Sequence, residues 1–68
     1  MSMNTLNPLE TYADVGRKLA KAHKQHDAGM ARHWGDWVAR ALALEDANVR
    51  PIARARYRDA YREESATT

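Results

Sequence analysis

A chain of 68 residues and 7.7 kDa holds one small domain, with no room for a catalytic domain and an accessory one. Its hydrophobic fraction is 44%, but thirteen of those residues are alanine and none is phenylalanine, so large core side chains are few. There is no cysteine, which excludes disulfide scaffolds and thiolate zinc sites, and a net charge of +2 permits a polyanionic partner without demanding one.

Residues 1–7 and 65–68 are small, polar and without pattern, and read as loose tails on a single helical domain spanning 1–68. The first helix is expected over about 8–25. Asn7 can cap it, Pro8 suits the first helical position because its missing N–H would be unpaired anyway, and Glu10 stands at the third position of a capping box. At 100° per residue Leu9, Tyr12, Ala13, Gly16, Leu19, Ala20 and His23 share one face, with Glu10, Asp14, Arg17, Lys18, Lys21 and Lys24 opposite. The cations gather at the C-terminal end, where the helix dipole favours them.

A second helix is expected over about 28–46, with Met30, Ala31, Trp34, Trp37, Val38, Ala41, Leu42 and Leu44 on its apolar arc. Between the two, His26-Asp27-Ala28-Gly29 reads as a turn with Asp27 as the next N-cap. The apolar phase also runs straight through from Leu9, so one uninterrupted helix over 8–46 fits the same pattern. The break is preferred, because a chain with so little core must fold back to bury anything. Ala13, Gly16 and Ala20 on the first helix, with Ala31 and Ala41 on the second, would let helix backbones approach closely.

The third helix is expected over about 51–64. Arg50 precedes Pro51 and is pushed out of helical geometry, after which Pro51 can open a helix. Ile52, Ala53, Tyr57, Ala60 and Tyr61 form a narrow apolar face. Beside it Arg54, Arg58 and Arg62 form an i, i+4, i+8 stripe, with Arg50 and Arg56 nearby. No segment alternates with period two, so no strand is expected. Leu, Ile, Val and Phe together fall below about a fifth of the chain, as in disordered proteins, but the high net charge that accompanies disorder is missing.

The catalytic inventory is poor. Ser2 and Ser65 lie in the tails, Thr11 is on the polar side of the first helix, and Gly16, Gly29 and Gly35 stand singly rather than in a phosphate loop. No enzyme activity, catalytic residue or cofactor is assigned. His23 and His26 are three apart and share a face, but two ligands make no metal site, and adding His33 matches no metal spacing, so no metal is assigned either. His23 reads instead as bonded to a helix carbonyl or to Glu45 or Asp46 of a folded-back segment, a mildly pH-sensitive element.

Trp34 and Trp37 read first as core anchors, and alternatively as an exposed anchor for a partner. The arginine and tyrosine face of the third helix is the best functional clue, although Asp59, Glu63 and Glu64 stand where intrahelical pairs with Arg56, Arg58 and Arg62 would neutralise it.

The expected fold is all-α, two or three amphipathic helices in a small hairpin or bundle, with a homodimer supplying the missing core. The expected function is a non-catalytic regulator or inhibitor that binds a larger protein through Arg54, Tyr57, Arg58, Tyr61, Arg62, Trp34 and Trp37. By association alone, such a chain suits a phage- or plasmid-borne modulator of a host system, such as an inhibitor of a defence complex. The alternative is a small nucleic-acid-binding protein using Arg50, Arg54, Arg56, Arg58 and Arg62, joined by Lys18, Lys21 and Lys24. With neither a signal-peptide pattern nor an apolar run of about 20 residues, no membrane is implied and the expected location is the cytoplasm.

Overall fold

A computed structural model describes residues 8–67, so Asn7, the expected tail at 1–7 and Thr68 lie outside the described residues. Three helices follow one another: α1 (Pro8–Lys24), α2 (Ala28–Leu44) and α3 (Arg50–Ala66). The expected all-α class is found, and among the described residues there is no strand.

The chain breaks between α1 and α2, so the uninterrupted helix over 8–46 is not formed. His26 takes a left-handed conformation (φ 57°), which turns the backbone back on α1. The Asp27 N–H then donates to the Ala22 carbonyl at 2.9 Å and the His26 N–H to the His23 carbonyl at 3.1 Å, the paired bonds of a Schellman cap. The next residue starts α2: the Asp27 carboxylate accepts from the Met30 N–H at 3.1 Å. Asp27 is the N-cap the sequence indicates.

The second connection departs from expectation. α2 stops at Leu44, and Ala47–Val49 form a turn in which the Val49 and Arg50 N–H groups both donate to the Asp46 carbonyl. Arg50 is already helical despite preceding Pro51. It is held there by its own side chain, whose Nε donates to the Leu42 carbonyl and whose Nη2 donates to the Glu45 carbonyl, both at 2.9 Å. The guanidinium thus satisfies carbonyls that the end of α2 leaves unpaired and sits where the helix dipole favours a cation. At the far end α3 continues through Ser65 and Ala66, so the expected loose tail begins later than residue 65.

The helices run up, down and up. Arg56 pairs with Glu10 at the start of α1, and Lys24 at its end lies 3.6 Å from Glu64, so α1 and α3 are parallel neighbours. Tyr12 donates to the Glu45 carboxylate at 2.8 Å, which sets α2 antiparallel to α1. The core lies where all three meet: Tyr12 and Val15 of α1, Val38 and Leu42 of α2 and Ala53 of α3, with Leu9, Trp34, Trp37, Ala41 and Tyr57 packed around them.

The closest approach of backbones is between α1 and α3, not between α1 and α2. A Cβ on Gly16 would lie 2.4 Å from the Tyr57 carbonyl oxygen and 3.1 Å from the Tyr61 nitrogen. Ala13 and Ala20 flank Gly16 on α1, and Ala53 and Ala60 face them from α3, all essentially without solvent exposure. Small side chains therefore bring two helices together where bulky ones are scarce, and dispersion between the close backbones replaces some of the missing bulk.

Candidate functional site

The five arginines around α3 separate into two groups. Arg50 is held at the end of α2 by the two carbonyls described above. Arg56 turns toward α1, where its Nη2 donates to the Glu10 carboxylate at 3.1 Å. Arg54, Arg58 and Arg62 are exposed, and among the described residues none of them has a hydrogen bond or an ion pair. The expected neutralisation by neighbouring acids is absent: Glu64 is turned to Lys24, and Asp59 and Glu63 form no ion pair. The reason is angular. Asp59 and Glu63 lie more than about 60° around the helix from the arginine stripe, while Glu64 faces α1.

The tyrosines that border the stripe are tied inward. Tyr57 is half-buried against the core, and burial raises its hydroxyl pKa, with the neighbouring Tyr61 adding to the shift. Tyr61 is also half-buried, and its hydroxyl shares a 2.6 Å hydrogen bond with His23 Nδ1, the two rings meeting edge to face. His23 therefore finds its partner on α3 rather than at a helix carbonyl, Glu45 or Asp46. The same corner is closed by Lys24, whose ammonium reaches the Thr67 carbonyl.

Trp34 and Trp37 are neither fully buried nor free. Trp37 stacks at a tilt on Tyr12 with ring centroids 5.9 Å apart, and the Lys18 ammonium stands 4.8 Å above the Trp34 ring. Both rim the core, so the structure places them on the opposite side of the core from the arginine stripe and does not join the two sets into one surface.

What adjoins the stripe is an open groove of about 590 Å³ between α2 and α3, lined by Val38, Ala39, Leu42 and Ala43 and rimmed by Arg50 and Arg54. It exists because α2 and α3 touch little, each packing chiefly on α1. The site is thus an apolar trough with cations along one wall. The role of Arg50 escapes sequence reasoning, since the signal, an arginine at the start of a helix just after another has ended, reads equally as part of the stripe.

Among the described residues no three His, Asp or Glu side chains converge as metal ligands would, and no helix is long and apolar enough to cross a membrane. No family model, curated protein or solved structure matches the chain.

Proposed function

We propose that the chain is a non-catalytic interaction module, working as a homodimer, that docks the Arg54, Arg58 and Arg62 stripe and its adjoining groove on an acidic surface of a larger protein. The observation that carries this reading is the unpaired state of the three arginines. Long cationic side chains with acids within reach normally pair or lie among them; here one face of α3 holds three cations with no counter-charge beside an apolar trough. Arg50 and Arg56 serve the fold instead, which reduces the basic set of the nucleic-acid reading from five side chains to three.

Capture from the native cell with the wild-type chain and with an Arg54→Glu/Arg58→Glu variant tests the proposal. The expected result is a protein retained after nuclease treatment and lost with the variant. Loss on nuclease treatment supports the nucleic-acid reading, in which affinity falls with salt at a log-log slope of roughly −3 for three phosphate contacts. Equal capture by the variant overturns both.

A further inference from the structure

More apolar surface lies on α2 than the monomer covers. Met30, Trp34, Trp37, Ala41 and Leu44 follow one another at alternating intervals of four and three, the spacing of a coiled-coil seam. α1 covers the middle, leaving Trp34, Trp37 and Ala41 half-buried against the core. The ends stand out: Met30 is 43% exposed and Leu44 is 84% exposed.

The two ends are complementary in shape. Beside Met30, the α1–α2 hairpin opens into a groove of about 310 Å³ floored by Ala22, Met30 and Trp34, with Lys18 and Lys21 on its α1 rim. At the other end Leu44 projects as a knob, followed directly by Glu45 and Asp46. Trp37 stands midway, so a two-fold axis at that residue brings knob and groove together twice, about 21 Å apart along the helix.

We propose that a second copy of this chain docks antiparallel on this flank of α2, with Leu44 of each copy seated in the Ala22, Met30 and Trp34 groove of the other. Charge selects a second copy and its direction. Seating Leu44 carries the exposed Asp46 toward Lys18 and Lys21 of the other copy. On the edge of the seam, Asp36 of one copy meets Arg40 of the other, whereas a parallel pairing would set Asp36 against Asp36 and Arg40 against Arg40. Asp36 and Arg40 form no ion pair within the chain among the described residues, so both are available. The contact is one helix long, roughly 25 Å by 10–12 Å, which places it at the low end of specific interfaces and implies micromolar dissociation.

The placement rests on the homodimer proposed above and is independent of the arginine stripe. Sedimentation equilibrium of the full chain, from low to high micromolar concentration, tests it with three variants. Leu44→Lys sets a cation against Lys18 and Lys21 at a position too exposed to matter for folding, and is expected to weaken the dimer at least tenfold. Asp36→Lys and Arg40→Glu each weaken it alone, while an equimolar mixture of the two associates more tightly than either. A monomer at every concentration overturns the homodimer and the placement together. A dimer indifferent to Leu44→Lys keeps the homodimer and overturns the placement, and a mixture no tighter than its components overturns the antiparallel register.

Discussion

The same substitution at two glycines is expected to move stability in opposite directions. Alanine exceeds glycine in helix preference by about 1 kcal/mol, and Gly16 and Gly35 both lie inside helices, so local propensity alone predicts a gain at each. At Gly35 nothing lies within 4 Å of the added Cβ, and the gain should appear nearly in full. At Gly16 the Cβ meets the Tyr57 carbonyl oxygen at 2.4 Å, and the obstacle is backbone, which cannot rotate away. Restoring an ordinary contact of 3.4 Å requires α3 to retreat by about 1 Å. A gap of that size forfeits roughly a quarter to a half of the dispersion at each contact along the seam, and overpacking of this kind costs about 1–3 kcal/mol. The net expectation is a loss of roughly 1–2 kcal/mol for Gly16→Ala and a gain approaching 1 kcal/mol for Gly35→Ala. In a chain this small each 1 kcal/mol shifts the thermal midpoint by about 4–8 °C, so the two variants separate clearly in melts followed by circular dichroism. A Gly16→Ala protein as stable as Gly35→Ala would refute the close α1–α3 approach.

His26→Gly should raise the thermal midpoint by several degrees, because the left-handed backbone at that exposed position disfavours any side chain by roughly 1 kcal/mol; an unchanged midpoint would count against the cap. The Tyr12 pKa is pushed up to about 12, first by burial and then by its hydrogen bond to Glu45 and that carboxylate's charge. With the folded value above the unfolded value of 10, Tyr12 keeps its full contribution below pH 10 and loses it as pH rises toward 12. Denaturant titrations should therefore show stability falling over that window, and falling less steeply in Tyr12→Phe. Arg50→Ala should destabilise the fold by about 1–3 kcal/mol through the freed Leu42 and Glu45 carbonyls, whereas Arg54→Ala should stay within about 0.5 kcal/mol of wild type in the same urea titration.

Local signals were legible in the sequence where one residue does one job. Asp27 and Pro51 mark helix starts in both readings, and the apolar periodicity puts Tyr12, Val38, Leu42 and Ala53 on the faces that meet. What could not be read is which faces pair. Gly16 and its alanines announce a close approach but not its partner, and the proximity of α3 rather than α2 depends on how the second turn aims the chain. The same limit applies to the arginines. Arg50, Arg54 and Arg58 look alike along the sequence, and only the end of α2 distinguishes the first as a cap. Tyr61 is likewise drawn inward by His23, a residue from a distant part of the chain. The stripe that remains, Arg54, Arg58 and Arg62, is the part of the expected binding face that folding leaves unused.

The most direct test of that remainder is an Arg54→Ala/Arg58→Ala/Arg62→Ala variant, measured for its thermal midpoint and, by titration calorimetry, for binding to the protein that the wild-type chain captures. The expected result is an unchanged melt with binding abolished. Undiminished binding by the folded triple variant would contradict the assignment of this stripe as the docking face.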